Sequence, residues 1–539
     1  METIGIFGHL RYNESVIGGV KMKLKTLTAM LVAGLAVIVS PIIVKAATSF
    51  DGMLNNGVIT LTEDVTLSEK YVIPEGENIT IDLNGHKITG PSDNYAIENK
   101  GTLKIVDSGI VKGKIACTSA SSSCVRNLGN LELSGVTAEG PFVVIKNDAE
   151  GNFYGNLTVE NSTLTSSYTK TDTGTIMNWG TAMVTNSRVN ASVSGIAIYA
   201  TSGAETGKNS EITLNANILE GKYSIYSRNY QSSDGTTQTI NVQGGQLIGS
   251  ISAMASRGSD VSIKGKVATT DAYLNTVLSF ADESAEIILT TDLTNKKITV
   301  PEGVTLTIPE NVTFTVSSAR QLIVNGKLDV QGTLDAAAFV EETNTYFGTL
   351  ANAIKLIGDG HNVVVLKDIT ETTITPYANK NITVDLNGHN VTADITVPAT
   401  TEMTFKDSSE KTTGTYNGTI TNEGTLTIES GNYTKVPVTK DGATTTLNGG
   451  TYPIEDMENV IIPADKEIVA NEDGTYSIVS KVTDEENVNG NTGNTNNADQ
   501  NENVTNPSTS DNIVIYIAMA LLAIGGMIAT GMKLKRNNA

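Results

Sequence analysis

The segment GNLELSGVTA, residues 129–138, contains the pattern that decides the fold. Leu131 and Leu133 alternate with polar residues, as in a β-strand with one buried face, and Gly135 follows where the chain must turn. Ala138 is again small and apolar, so the chain re-enters a core after the turn. The segment therefore predicts a strand, a tight turn and a second short strand.

Six further segments between residues 101 and 268 repeat this pattern. The first inward residues are Leu103, Leu131, Leu157, Ala182, Ile212, Ile240 and Val261. Two positions later stand Ile105, Leu133, Val159, Val184, Leu214, Val242 and Ile263. Seven positions after the first stand Ile110, Ala138, Leu164, Val189, Leu219, Leu247 and Ala268. A strand-turn-strand unit that recurs every 20–30 residues or so is typical of a solenoid, and the absence of helical periodicity favours a parallel β-helix.

A second, shorter copy of the pattern follows. The phrase DLNGH occurs at residues 82–86 and again at 385–389, and ITVDLNGHNV and GTLTIESGNY continue the second copy. Before it, Leu350, Ala353, Ile354 and Ile357 fall on one face of a predicted short helix near 349–357. Such a helix would cover the open end of a solenoid, which otherwise exposes unpaired strand edges.

Both ends of the chain resemble processing signals. Residues 22–46 combine a basic start, an apolar run and small residues before Ala47, which predicts a signal peptide cleaved between Ala46 and Ala47. The alternative is an uncleaved membrane anchor. Residues 1–21 do not fit this pattern, so we expect translation to start at Met22 and residues 1–21 to be an upstream extension.

The C-terminal segment, residues 506–539, combines a short motif, an apolar span and a basic tail. The span, residues 513–532, is long enough to cross a bilayer as a helix, and the basic tail would stay inside the cell. The motif residues Asn506, Pro507, Thr509 and Ser510 resemble the LPxTG-type sorting signal of Gram-positive surface proteins, with Asn in place of Leu and Ser in place of Gly.

The resemblance to the sorting signal implies a partner enzyme. A sortase would attack the Thr509 carbonyl and transfer the chain to an amine of the cell-wall peptide. Before this transfer the C-terminal helix would hold the chain in the membrane. The alternative is a plain transmembrane anchor with the body of the protein outside the cell.

The boundaries predicted from these patterns divide the chain into seven segments. They are an upstream extension at 1–21, a signal peptide at 22–46, a first β-helix at 47–284, a short-rung β continuation at 285–340, a second β-helix with a helical cap at 341–480, a disordered polar spacer at 481–505 and the sorting signal at 506–539. The spacer is predicted because nine of residues 481–506 are Asn and no apolar periodicity remains.

The repeated DLNGH and GTLTIESG phrases are similar to those of pectate-lyase-like right-handed β-helix repeats in bacterial surface proteins. The resemblance implies an all-β, right-handed parallel β-helix over roughly residues 50–480. Because the phrases describe a shape, two function classes stay open. One is a non-catalytic, adhesin-like protein that binds glycans or proteins of host or neighbouring cells, or serves as a structural stalk. The other is a wall-attached polysaccharide hydrolase or lyase.

Composition excludes other partners and leaves few candidate sites. A net charge of −21 with seven Arg argues against nucleic acid binding.

The predicted outward carboxylates that approach each other are Glu132 and Glu160, the weak catalytic candidates. Tyr199, Tyr223, Tyr226 and Tyr230 form a possible ligand patch. Cys117 and Cys124 are predicted to form a local disulfide, with two free thiols as the alternative. His86 and His389 are interpreted as corner residues, and no metal or other cofactor is predicted.

Overall fold

The computed structural model describes residues 49–202, 207–229 and 235–481. Over these residues the chain forms an all-β parallel β-helix of about 15 turns, which confirms the predicted fold class. Residues 1–48 and 482–539 lie outside the described part, and so do the predicted signal peptide, the spacer and the transmembrane helix. Two short α-helices, Leu274–Ser279 and Leu350–Leu356, and one 3-10 helix, Ala255–Arg257, interrupt the described strands.

The first stretch of the solenoid has three columns of parallel strands. The first column contains Val58–Thr60, Asn78–Asp82, Thr102–Val106, Asn130–Ser134, Asn156–Glu160, Thr181–Thr185, Ser210–Asn215 and the starts of Gln238–Ala253 and Ser259–Thr269. The second contains Val65–Thr66, Lys87–Thr89, Lys114–Ala116, Thr137–Gly140, Thr163–Ser166, Arg188–Asn190, parts of Asn217–Ser227, Gln238–Ala253 and Ser259–Thr269, and then Glu286–Leu289, Thr305–Ile308 and Lys327–Val330. The third contains Tyr71–Ile73, Ile97–Asn99, Val125–Asn127, Ile145–Asn147, Ile176–Asn178, Ile196–Ala200 and the ends of Asn217–Ser227 and Gln238–Ala253.

The register of the first column is the one that the sequence pattern predicts. Leu131 pairs with Leu103 on one side and with Leu157 on the other, and each later anchor pairs with the next. All members of the first and second inward sets are buried. Because side chains alternate across a strand, a shift of one residue would have turned these side chains to solvent, so burial of the apolar set fixes the register.

Ile110 is a wrong prediction. It is fully exposed, at 103%, and Ile115 occupies the inward position instead, at 0%. The cause is Asp107, whose carboxylate accepts hydrogen bonds from the amides of Gly109 and Gly113 at 3.1 and 2.6 Å. These bonds hold the intervening residues out as a loop, so the chain re-enters the core five residues later than the pattern predicts.

The last repeat differs from the predicted alignment by one residue. Val267 is buried and pairs with Gly245, whereas Ala268 is only half-buried. A register shift after Val242 in the neighbouring strand accounts for this offset.

Ile110 and Ile115 provide a direct test of the register. We expect Ile115→Ala to lower the free energy of unfolding by about 2–5 kcal/mol, because it leaves a cavity in a fully buried position. Ile110→Ala should change it by less than about 0.5 kcal/mol, since this side chain is in water. Thermal and urea unfolding of the two variants would check this, and equal losses would contradict the assignment.

The second stretch begins after an antiparallel hairpin. Thr345–Phe347 pairs with Gln321–Val324 and with Ala338–Val340, and Ala338–Val340 pairs with His361–Val365, all antiparallel. The hydrophobic core divides at the same place, with one cluster ending at Ala336 and the other beginning at Ala337. The described chain therefore contains two solenoid cores that meet at a reversed pair of strands.

The remaining strands build the second stretch and its ends. Ile298–Val300 pairs with Gln321–Val324, and His361–Val365 is followed in one column by Asn381–Asp385, Glu402–Lys406, Thr425–Ile428 and Thr444–Leu447. A second sheet contains Ile369–Ile374, Asn390–Val397, Thr415–Tyr416, Ile420–Asn422, Asn432–Tyr433, Val438–Thr439 and Thr451–Tyr452. Antiparallel pairs are Leu54–Asn55 with Val58–Thr60, Ala149–Glu150 with Phe153–Tyr154, and Lys466–Ala470 with Tyr476–Ser480, and Thr313–Thr315 pairs with Thr333–Asp335 in parallel.

The helix Leu350–Leu356 confirms the predicted capping helix near 349–357. Leu350, Ala353 and Ile354 are buried against the second core, as their spacing predicts. Thr349 accepts a hydrogen bond from the helix, and the Glu371 carboxylate accepts two more from its first amides, at 2.8 and 2.9 Å. These contacts satisfy amide groups that a helix start otherwise leaves unpaired.

Candidate functional site

The outer face of the first column carries both catalytic candidates. Glu132 pairs with Thr158 and Ser134 pairs with Glu160, so the two glutamates lie on adjacent strands but two positions apart. The Oε1 atom of Glu132 lies 2.7 Å from the Nζ atom of Lys104 on the preceding coil, and both side chains are well exposed. Glu132 is therefore in a surface ion pair with a lysine of the preceding coil.

The first DLNGH phrase forms a corner that joins three coils. Asp82 accepts hydrogen bonds at 2.9 Å from the amides of Asn84 and Ser108, and Asn84 adopts a left-handed conformation with φ of 46°. Burial alone would raise the pKa of Asp82, but these bonds and the charge of Lys112 lower it overall. His86 closes the corner with its Nδ1 atom 3.7 Å from a carboxylate oxygen of the preceding coil.

The second DLNGH phrase repeats this geometry. Asp385 accepts hydrogen bonds at 2.9 Å from the amides of Asn387 and Ser408, and the Nδ1 atom of His389 lies 3.5 Å from Asp368. Within the described ranges, no three His, Cys, Asp or Glu side chains are grouped as metal ligands. Each histidine lies at its corner near one carboxylate of the preceding coil.

The predicted tyrosine patch is only partly at the surface. Tyr199 is buried, at 1% exposure, so its prediction as a contact residue is wrong. Its ring stacks on Tyr226 at 5.4 Å, and Tyr223 packs edge-on against Tyr226 at 5.3 Å. The Nε atom of Arg228 donates to the Tyr199 hydroxyl at 3.1 Å. Tyr199 thus supports the half-buried Tyr223 and Tyr226, while Tyr230 lies outside the described residues.

Aromatic and apolar side chains line the corner between the second and third columns on consecutive coils. Phe142 and Tyr168 are half-buried, and their ring centroids lie 5.0 Å apart with perpendicular planes. Val193 follows on the next coil and is 94% exposed. On the coil after that, Tyr223 pairs with Ile196 in the third column, so it is out of line with the other three. We call Phe142, Tyr168 and Val193 the corner ridge.

Hydrogen bonds between coils hold the corner ridge in line. The hydroxyl of Ser166 donates to the carbonyl of Phe142, and that of Ser192 donates to the carbonyl of Tyr168, both at 2.6 Å. Each serine thus ties its own coil to the ridge residue of the coil before it. The ridge is therefore built on a rigid corner rather than on a free loop.

Charge is sparse on the corner ridge. Burial, a hydrogen bond with Asp172 and the charge of Asp172 raise the pKa of Tyr168 above its ordinary value. On the following coil, the Nζ atom of Lys222 lies 5.4 Å from the ring centroid of Tyr223, within the range of a cation–π contact. The three ridge side chains themselves carry no charge.

The third column, next to the ridge, has a charged outer face in its early coils. Arg126 is central: it binds Asp148 at 2.7 Å and Glu150 at 2.6 Å, and it lies 3.6 Å from Glu98. Burial would raise the pKa of Glu98, but Lys70, Arg126 and a further lysine lower it overall. These charges are paired with one another, which sets this face apart from the uncharged ridge.

An asparagine ladder inside the third column was not predicted. The side chains of Asn99, Asn127, Asn147 and Asn178 are fully buried, and each amide nitrogen donates to the next side-chain oxygen at 2.7 Å. Their remaining donors reach backbone carbonyls such as that of Thr181. The ladder satisfies polar groups that would otherwise be costly in the core, except the Oδ1 atom of Asn99 at its start, which is buried without a partner.

The sequence does contain signals for both unpredicted features. Asn99, Asn127 and Asn178 each stand two residues before the glycine that opens an aligned segment. Every ridge residue stands eleven positions after the first inward residue of its own segment, as Phe142 follows Leu131. The repeat pattern therefore extends well beyond the ten residues that define the strands.

Cys117 and Cys124 are joined by a disulfide. The bridge closes a short loop at the corner between the second and third columns, one coil before Phe142. A carbon atom added at Gly140 would lie 3.2 Å from atoms of both cysteines, so this glycine lets the bridge pack against the next coil.

Several predicted site residues lie outside the described part of the chain. They are Ala46 and Ala47 at the predicted cleavage site, and Asn506, Pro507, Thr509 and Ser510 in the sorting motif. Among the described residues, no helix is long and apolar enough to span a membrane.

The chain matches no known protein-family model, no curated protein and no solved structure.

Proposed function

We propose that this chain is an exported, wall-displayed and non-catalytic β-helix protein of the adhesin type, which binds its ligand through the corner ridge. One observation carries the proposal: uncharged aromatic and aliphatic side chains recur at the same corner on three consecutive coils. Half-exposed aromatic side chains combine a large apolar area with little conformational freedom, which makes them effective contact residues.

The ridge also favours binding over a purely structural role. A stalk needs only an apolar interior and polar outer faces, and Val193 contributes nothing to the interior because it is 94% exposed. In solenoid proteins, side chains that project from one face of consecutive repeats commonly form the binding surface. The proposal explains why these residues are apolar, whereas a passive spacer does not.

The enzymatic alternative has weaker support. Its candidate carboxylates, Glu132 and Glu160, lie on the outer face of the first column, and Lys104 already pairs with Glu132. The ridge lies at a different corner of the coil. No aromatic platform for a sugar accompanies the two glutamates in the first column, whose outward residues on those strands are mainly polar.

Export and display rest on the two terminal signals. We propose that signal peptidase removes the segment up to Ala46 and that a sortase joins Thr509 to the cell-wall peptide. The described solenoid would then stand outside the cell, where a disulfide such as Cys117–Cys124 persists. The body would present the ridge to host or neighbouring cells.

The test is adhesion of bacteria that display the full chain. We expect a Phe142→Ser, Tyr168→Ser, Val193→Ser triple variant to lower adhesion to host or neighbouring cells about tenfold or more, because contact residues in a ridge dominate binding. Ile110→Ser with Val111→Ser is the matched control, since these residues are also apolar and highly exposed but lie off the ridge. Equal adhesion of the triple variant and the wild type would refute the proposal.

A further inference from the structure

We propose that the open end of the first solenoid core binds an extended strand of a partner protein, which adds to the edge of the strand Lys327–Val330. This site lies where the two cores meet and is independent of the corner ridge. The proposal follows from the faces of the sheet on which the cores lie, the exposure of the last inward residues and the free backbone groups of the strand edge.

The two cores lie on opposite faces of one continuous sheet. Leu322 belongs to the first core, and its partner on the neighbouring strand, Tyr346, packs against the same core. The next residue, Phe347, points to the other face and belongs to the second core. On the following strands, Phe339 pairs with both Tyr346 and Val364 on the first face. The second stretch therefore has its core on the other side of the sheet and leaves the end of the first core open.

The inward residues of the last coil of the first core are partly exposed. Leu328 and Leu334 are half-buried, and Val330 is 43% exposed. Their partners on the preceding coil, Leu306, Phe314 and Ile308, are fully buried, at 0%. We call Leu328, Val330 and Leu334, with the half-buried Phe339, Tyr346 and Val364 of the sheet beside them, the junction groove; the first three are its floor and the last three its wall.

The other end of the first core is covered. In its first coil, Ile59 and Val65 are fully buried, and Leu54–Asn55 pairs antiparallel with Val58–Thr60. The fold can therefore close an end of this core with its own chain, and the exposure at the junction is particular to that end.

The edge of Lys327–Val330 requires an extended partner. Among the described strands, it pairs only with Thr305–Ile308. The amides of Lys327 and Gln331 donate to the preceding coil, both at 2.8 Å, so the backbone groups of Leu328 and Val330 point to the open side. Donors and acceptors in such a row are matched by another extended backbone, which is the basis of recognition by strand addition.

The wall favours a single added strand over a second copy of this chain. A complete coil of a second copy would have to continue all three sheets of the first core. One of them, the sheet of Gln321–Val324, is already continued by Thr345–Phe347. A complete coil would therefore collide with the wall, whereas one strand fits between the floor and the wall.

The side chains at the edge define the chemistry of this strand. Its inward residues would cover Leu328 and Val330 and should be apolar. Its outward residues would lie beside Lys327 and Asp329, which carry opposite charges, so an acid and a base there complete two cross-strand pairs. Because the strands of this column are parallel, the expected order in the partner is acid, apolar residue, base.

The experiment titrates synthetic peptides against the mature protein, released from the wall by a peptidoglycan hydrolase, with microscale thermophoresis as the measurement. The probe, GVELKIG, keeps the apolar positions of the preceding strand and carries the acid and the base at the expected positions. The matched control, GVKLEIG, has the same composition with the two charges exchanged. We expect the probe to bind about fivefold or more tightly than the control, because the exchange places like charges side by side.

Two variants test the charges and the backbone separately. In a Lys327→Glu, Asp329→Lys double variant the preference should reverse, so that GVKLEIG binds more tightly. Val330→Pro removes a free N–H that the solenoid does not use, and should lower the affinity for the probe about fivefold or more. Val330→Thr is its matched control, because it keeps both the N–H and the β-branched shape, and circular dichroism verifies that the variants fold.

Absence of binding by the probe, equal or tighter binding of GVKLEIG to the wild type, or an unchanged preference in the double variant would overturn the inference. Equal affinities of Val330→Pro and Val330→Thr would also overturn it. None of these results bears on adhesion through the corner ridge, so the proposed function stands or falls on its own test.

Discussion

Replacing Thr509 by Ala should move the protein from the cell-wall fraction to the membrane fraction. The Thr509 carbonyl is the atom that a sortase would attack, and Pro507 biases the preceding residue towards the extended shape that an enzyme groove requires. Without transfer, the apolar span at 513–532 and the basic tail should keep the chain in the membrane. We expect nearly all of the variant protein to become extractable by detergent, with the solenoid still folded.

Fractionation after peptidoglycan hydrolase treatment measures this change. Thr505→Ala is the matched control, because it removes the same side chain four residues earlier and should leave wall attachment intact. If detergent alone releases the wild-type protein, there is no covalent link, and the C-terminal segment is a membrane anchor.

Asn147→Ala should cause a large local loss of stability. Asn147 is the central link of the ladder: its side chain accepts from Asn127 and donates to Asn178, both at 2.7 Å. Removing it leaves the Oδ1 atom of Asn178 and the carbonyls of Gly155 and Thr181 without this donor. The amide of Asn127 keeps its bonds to the carbonyls of Gly129 and Asn156. Each unsatisfied group costs about 1–3 kcal/mol, so we expect a loss of about 2–4 kcal/mol in this part of the solenoid.

Hydrogen exchange resolves this effect better than global unfolding, because repeat proteins lose stability locally. Protection should fall in the strands Val125–Asn127, Ile145–Asn147 and Ile176–Asn178, and stay unchanged in the second stretch. Asn130→Ala is the control, since Asn130 lies on the solvent side of its strand. A similar loss in the control, or unchanged protection in Asn147→Ala, would show that the ladder contributes little.

The fold and the register were predictable because a β-helix repeats its inward residues. Leu131, Leu133 and their equivalents recur at the same positions of each segment, and every one of them is buried. The loop at Ile110 could not be predicted from the alternation of apolar and polar residues. It depends on bonds from the amides of Gly85, Gly109 and Gly113 to the Asp107 carboxylate, and the alternation carries no information on these bonds.

The candidate site was less predictable than the fold. Tyr223 and Tyr226 were identified as a cluster, but Tyr199 was placed at the surface, although it is buried beneath Tyr226. Its position within the strand Ile196–Ala200, where every residue is buried, could not be read from alternation. Phe142 and Tyr168 were not identified because they lie outside the ten-residue strand-turn-strand unit whose alternation predicts the fold.

The reversed hairpin at 338–347 has a mechanical consequence under the proposed attachment at the C-terminal end and the proposed binding at the corner ridge. Tension would peel coils from the C-terminal end one at a time, and a coil of about 20 residues would release up to ~70 Å of chain. Peeling would stop where Thr345–Phe347 pairs antiparallel with its neighbours, because the two cores divide there. The second stretch would thus unfold and extend under load, while the coils that carry the ridge stay folded and remain bound to the ligand.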